Sequence, residues 1–129
     1  MLELTKEQIQ QLVDIIENKQ NCHCSVSTSM RTVWITSNDG KNELRVSFLG
    51  HFALVLSRVE FAHKRCGTMT AILSALKKIC EEYGVHRIII QSVLTHEMES
   101  FCRKSGCKPD PNTTMKVDGV LTGNYFFDF

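Results

Sequence analysis

The sequence predicts an α/β chain built on a mixed sheet, with antiparallel strands in its N-terminal half, a parallel central pair and flanking helices. Three observations predict it. Between about Cys22 and Phe61 the apolar repeat shortens from 3.6 residues to 2, and Val, Ile, Thr, Phe and Trp dominate. Asn38-Asp39-Gly40-Lys41 is a hairpin turn flanked by two such runs, because Asp-Gly supplies the positive φ that a tight turn needs. From Phe52 to Val93 the chain then reads strand, glycine turn, amphipathic helix, strand, which is the crossover that joins parallel neighbours. The 129 residues suit one domain, 1–129, long enough to bury a core without disulfide or metal staples.

In order, Thr5 to about Asn18 is a helix: Thr5 and Gln8 can form a capping box, and Ile9, Leu12, Val13 and Ile16 recur at i, i+3, i+4 and i+7. Its polar face balances acids and bases, so its apolar stripe is expected to cover one face of a sheet. Thr32 to Thr36 and Glu43 to Leu49 flank the hairpin turn, and Gly50 punctuates the chain. Phe52 to Phe61 is apolar on both faces up to Leu56, as a central strand covered on two sides should be. Polarity returns at Ser57, Arg58 and Glu60, at the carboxyl end where ligands of α/β sheets sit. Thr68 to Tyr83 is a helix whose stripe runs Met69, Ile72, Leu73, Leu76, Ile79, Cys80 and Tyr83, stopped by Gly84. Val85 to Val93, with Ile88-Ile89-Ile90, is the parallel partner strand. A further helix runs from Thr95 to Gly106, presenting Met98, Phe101 and Cys102 to the core, and Pro109 and Pro111 prevent its continuation. Met115 to Val117 and Tyr125 to Phe129 are expected as closing strands around a Gly-rich connection.

Composition removes several function classes. A net charge of +1 gives no electrostatic case for nucleic acid or an anionic membrane. No apolar run approaches the roughly 20 residues of a membrane span, and the N-terminus has neither a basic start nor an apolar signal region. The expected location is therefore the cytoplasm, where six cysteines are expected as thiols. Cys22-His23-Cys24 has the wrong spacing for a zinc pair and no second pair to match, so no metal is expected.

The stretch with the clearest chemistry is His63-Lys64-Arg65-Cys66-Gly67-Thr68-Met69-Thr70, the join between a strand and a helix. Glycine lets the backbone approach an oxyanion, the opening helix offers free N–H groups and the positive end of its dipole, and Lys64 and Arg65 add charge. It reads as a phosphate cradle. Arg103, Lys104 and Lys108 read as a solvated helix end complementing the dipole.

Over about residues 52–107 this arrangement resembles the GNAT superfamily of acetyl-CoA-dependent N-acetyltransferases. In that family the turn follows Arg/Gln-x-x-Gly-x-Gly/Ala, and Lys64-Arg65-Cys66-Gly67-Thr68-Met69 matches it with a basic first position, one glycine, and Met69 where a small residue is usual. A second family pattern, Asn-x-x-Ala-x-x-Φ-Tyr-x-x-x-Gly-Phe, aligns without gaps on Thr95 to Cys107; Phe101, Lys104 and Gly106 fit, whereas Thr95, Met98, Cys102 and Cys107 depart from it. The resemblance implies a GNAT-like sheet whose parallel pair splays apart to admit the pantetheine arm of the cofactor. The implied acetyl-CoA contacts are Val59 and Phe61 on the strand, Lys64, Arg65, Cys66, Gly67, Thr68, Met69 and Thr70 in the cradle, and Thr95. Compared with the family, the N-terminal part looks abbreviated.

The implied reaction moves an acetyl group from acetyl-CoA to a primary amine by direct attack. The amine belongs to a small molecule or to a protein or peptide, and the chain acts as a monomer or homodimer. Such transfer needs an uncharged amine, a polarised carbonyl and a proton for the thiolate. Glu60 and His51 are the candidate bases, unless Glu60 merely pairs with Arg58 and His51 is an exposed turn residue. Cys102 stands where the family commonly places a tyrosine acid, and either protonates the leaving thiolate or packs as a small apolar side chain. The alternative function is a catalytically weak or inactive module that binds CoA, acyl-CoA or a protein partner.

Overall fold

In the computed structural model, which describes residues 2–129, the chain runs α1 (Lys6–Gln20), β1 (Cys24–Ser29), β2 (Thr32–Ser37), β3 (Glu43–Leu49), β4 (Ala53–Glu60), α2 (Thr68–Glu82), β5 (Arg87–Val93), α3 (His96–Lys104), β6 (Lys108–Pro109), β7 (Met115–Val117) and β8 (Val120–Asp128). The strands form one mixed sheet in the order β1-β2-β3-β4-β5-β8-β6, with β7 pairing β8 beside it. β1 to β4 are an antiparallel meander, and β4 and β5 are the parallel pair joined through α2.

Local chemistry explains each boundary. α1 begins at the Thr5 capping box: the Gln8 N–H donates to the threonine hydroxyl and the Thr5 N–H donates to the Gln8 side chain. It continues two residues past the expected end, to Gln20, and stops at Asn21 in the left-handed region (φ 52°). The β2–β3 turn is closed by Gly40 (φ 74°). The β1–β2 hairpin turns through Met30 and Arg31, both left-handed (φ 49° and 68°), a two-residue geometry without the glycine that announces it elsewhere.

The C-terminal end corrects the sequence reading. The last strand begins at Val120 rather than Tyr125, because Asp118-Gly119 (φ 49° and 81°) is itself a tight hairpin turn, and the supposed Gly-rich connection is strand. Gly123 within it is required by space, since a Cβ there would lie 2.5 Å from the Thr113 carbonyl oxygen.

The register aligns one apolar row across five strands: Val33, Val46, Leu56, Ile90 and Tyr125. A second row runs Phe48, Leu54, Ile88 and Phe127. These residues share one core with Leu12, Val13 and Ile16 of α1, with Ile72, Leu76 and Ile79 of α2, and with Cys102 of α3, so the helices cover this face. Phe48 meets Tyr83 of α2 edge to face, with ring centroids 5.4 Å apart. The other face carries Trp34, Arg45, Arg58, Val55 and Ile89. Ala53 and Val55 are buried on it, but outside the core shared with the helices, so the expectation of a strand covered by two layers is met on one side only.

Candidate functional site

β4 changes character along its length. Leu54, Val55 and Leu56 pair with Ile88, Ile89 and Ile90, and there the parallel ladder ends, although β4 runs on to Glu60 and β5 to Val93. Both strands are bulged where they part. Ser57 is the extra residue of β4, since Val46 faces Leu56 and the preceding Arg45 faces Arg58. On β5 the register with β8 shifts between Ile90 and Val93, and Ser92 is left-handed (φ 56°) while its N–H donates to the Asn124 side chain. A bulge bends a strand, so two bulges at one level open a cleft. Beyond Leu56, β4 is paired to β3 alone and its other edge faces that cleft.

The chain leaving β4 is fixed by two buried side chains. The Asn42 carboxamide oxygen accepts from the Ala62 N–H (2.9 Å). Gln20, 2% exposed at the end of α1, accepts from the His63 N–H (2.8 Å) and donates to the His63 carbonyl (2.9 Å) and the Thr68 hydroxyl (2.7 Å). The Cys66 thiol turns inward, against Thr68 Oγ1 at 3.2 Å and the His63 carbonyl at 3.4 Å. Left-handed Arg65 (φ 60°) and Gly67 (φ 81°) deliver the loop to α2, whose first three residues find no acceptor for their backbone N–H groups among the described residues. Lys19 Nζ lies 3.8 Å from where a Gly67 Cβ would be. The result is a cluster of N–H donors at the positive end of a 15-residue helix, with a lysine ammonium near Gly67, which carries no Cβ.

The residues expected at this site divide by which of their atoms face it. Gly67 and Thr70 are exposed at the start of α2, and Lys64 and Arg65 are exposed in the loop. Cys66, Thr68 and Met69 have inward side chains, so what they offer a ligand is backbone; the Thr68 hydroxyl is held by Gln20 and Met69 is core. Phe61 is likewise buried and Val59 half-buried, beside the open edge of β4. Thr95 caps α3, its hydroxyl accepting from the Met98 N–H at 3.2 Å. Glu60 is exposed near the end of the open edge, with Arg58 NH2 3.8 Å from its carboxylate while Arg58 Nε donates to Glu43. Lys19, Gln20 and Asn42 belong to the site without having been singled out in the sequence; they lie 20 to 48 residues from their partners, where no local pattern reports them.

Two candidates are displaced. His51 occupies the β3–β4 turn at the opposite end of β4, a strand that at about 3.3 Å per residue spans roughly 23 Å from Ala53 to Glu60. It is an exposed turn residue and not a base for this cleft. Cys102 is 0% exposed, on the core side of α3. Its hydrogen bond with Cys107, and then burial, hold the thiol above its ordinary value. A protonated thiol sealed between α3 and Tyr125 has no path to a leaving group, so Cys102 packs. The expectation also missed the buried carboxylate of this helix, Glu99, which accepts from the Leu121 N–H at 2.7 Å and pairs with Arg103 at 3.2 Å.

Among the described residues no three His, Cys, Asp or Glu side chains are gathered as for a metal ion. The Cys22 and Cys24 sulfurs lie 3.9 Å apart, and burial first, then Cys22, pushes the Cys24 thiol up to about 12. No described helix is long and apolar enough to cross a membrane.

No protein-family model matches the sequence, and no curated protein does. Solved structures do match the fold. A protein of Agrobacterium tumefaciens assigned as an acetyltransferase aligns with a TM-score of 0.57 at 9% identity, over 100% of this chain and 97% of that one. Ard1 of Thermoplasma volcanium aligns at 0.53 and 13%, over 98% and 95%. A GNAT-family protein of Chromobacterium violaceum ATCC 12472 aligns at 0.53 and 17%, over 78% of this chain and 58% of that one. The chain spans less than two thirds of the length of several longer matches, 62% and 64% of two further acetyltransferases. At these identities the likeness is one of architecture: the chain has the GNAT fold.

Proposed function

We propose that this chain is an acetyl-CoA-binding GNAT domain that transfers acetyl to a primary amine by direct attack. The single observation that carries the reading is that the open edge of β4 is followed, through the loop from Phe61 to Gly67, by free N–H donors at the start of α2. A ligand matching both must join an extended, amide-bearing arm to a doubly charged phosphate group, which is the chemistry of CoA. The pantetheine amides would add to β4 beside Ser57–Glu60 as a short strand. The pyrophosphate would take the N–H groups of Thr68, Met69 and Thr70, with Lys19, Lys64 and Arg65 as counter-charges.

In this reading the thioester carbonyl lies within the cleft, where strand N–H groups polarise it. The amine nitrogen attacks the carbonyl carbon, the carbon–sulfur bond breaks, and CoA leaves as the thiolate. The amine's proton passes to the Glu60 carboxylate, directly or through one water, and from there to solvent. With Cys102 packed away, the thiolate leaves without a side-chain acid and takes its proton from water; a thiol value near about 8.5 makes it a workable leaving group.

The burial of Cys102 favours a second reading, a module of the same fold that holds acyl-CoA with little turnover. Release of free CoA thiol from acetyl-CoA in the presence of a panel of primary amines, small and peptidic, separates the two. Saturable release with a subset of amines supports the transferase; cofactor binding with no release supports the holding module. Absence of acetyl-CoA binding by folded protein contradicts both.

A further inference from the structure

The loop that receives the phosphate in the reading above has a conspicuous support outside itself. Gln20 is buried, terminates α1, and reaches across 43 to 48 residues to three points of the turn: both backbone groups of His63 and the hydroxyl of Thr68, with Cys66 Sγ also 3.3 Å from its amide nitrogen. A carboxamide suits this task because one oxygen accepts while two N–H bonds donate. The turn between needs the help. It carries left-handed Arg65, a conformation that costs a side-chain-bearing residue free energy, and it has few other ties among its own residues. Releasing Gln20 would remove the carboxamide partner of the buried Thr68 hydroxyl and of both His63 backbone groups, leaving Cys66 Sγ as the remaining tie of the hydroxyl and the His63 carbonyl, and let Thr68, the first residue of α2, move relative to His63.

We propose that Gln20 is a positioning residue for cofactor binding: it fixes the spacing between the end of β4 and the first turn of α2, so that the N–H cluster is formed before the phosphate arrives. It touches no part of the ligand. α1 is thereby a part of the cofactor site as well as a cover for the sheet, and affinity for the phosphate-bearing donor depends on the last turn of a helix that lies outside the phosphate loop. This inference rests on the acetyl-CoA reading.

The test compares two donors by NMR titration, which follows millimolar as well as micromolar binding: acetyl-CoA, and S-acetylpantetheine, which keeps the arm and lacks the pyrophosphate. Wild type should bind acetyl-CoA far more tightly than S-acetylpantetheine. Gln20→Met should weaken acetyl-CoA about tenfold or more while leaving S-acetylpantetheine within about twofold. Gln20→Glu, which keeps the acceptor for His63 but loses the donor, should fall in the same direction. If Gln20→Met does not fold, Thr68→Val removes the far partner of the same amide and should give the same selective loss. An unchanged acetyl-CoA affinity, or equal losses for both donors, would overturn the positioning role. Equal wild-type affinity for the two donors would instead overturn the phosphate reading on which it stands.

Discussion

The two halves of β4 are built to opposite specifications. From Ala53 to Leu56 the strand is apolar on both faces with every side chain buried, and Leu54 to Leu56 are paired on both edges. From Ser57 to Glu60 the same strand is bulged, alternates half-buried with exposed side chains, and keeps one edge open. An unpaired edge in the middle of a sheet is costly unless something pairs with it, because backbone N–H and C=O groups there lose water without gaining a partner. The closed half supplies the stability that lets the open half exist. Loss of binding and loss of stability should therefore map to different halves of one strand.

The largest expected effect is on the closed half. Leu54→Ala, at a fully buried position in the row with Phe48 and Ile88, should cost about 2–5 kcal/mol of unfolding free energy in denaturant titration, with acetyl-CoA affinity nearly unchanged in the folded fraction. A matching loss of affinity would break the division. Next, on the open side, Gly67→Glu should weaken acetyl-CoA about a hundredfold or more, close to 2.7 kcal/mol, by adding bulk and negative charge to the N–H cluster. Its fold, read by circular dichroism, should remain. Cys102→Ala should cost about 1–3 kcal/mol of stability, and the specific rate of thiol release should stay at the wild-type value. A selective fall in rate would return the thiol to the chemistry.

The smallest effect is at the start of β5, where Nε and one terminal guanidinium nitrogen of Arg87 donate to the Asp128 carboxylate at 2.6 and 2.8 Å. The hydrogen bond from Arg87 holds Asp128 below its ordinary value. Such a carboxylate adds stability that is fully present above its unfolded value, near about 3.9, and is lost as pH falls through the lower folded value. The pair is half-exposed, so Asp128→Asn should lose only about 0.2–1 kcal/mol near neutral pH. That difference from wild type should vanish in strong acid.

How much of this division the sequence announces depends on the range of the interaction. Helices and hairpins set by neighbours were legible: the Thr5–Gln8 box, the stripe of α2, and the Asp39-Gly40 turn. The return of polarity at Ser57 falls where the pairing of β4 with β5 ends, and Gly67 stands at the start of α2. The β1–β2 turn was not legible, because Met30 and Arg31 are held left-handed by the pairing around them and carry no turn signature. The start of β8 was misjudged because Gly119 and Gly123 together suggested a loose connection, whereas one closes a hairpin and the other makes room for the Thr113 carbonyl. Gln20 and Asn42 look in sequence like ordinary polar residues; only the fold reveals that they hold the exit from β4. Cys102 was given two roles because an alignment places a position and says nothing of its exposure.

The most direct test of the open half is residue-resolved. In an amide NMR titration with acetyl-CoA, the account expects saturable shifts at Ser57–Glu60 and at Thr68–Thr70, with Leu54–Leu56 nearly still. Saturable shifts confined to other surfaces, or no binding at all by folded protein, would contradict it.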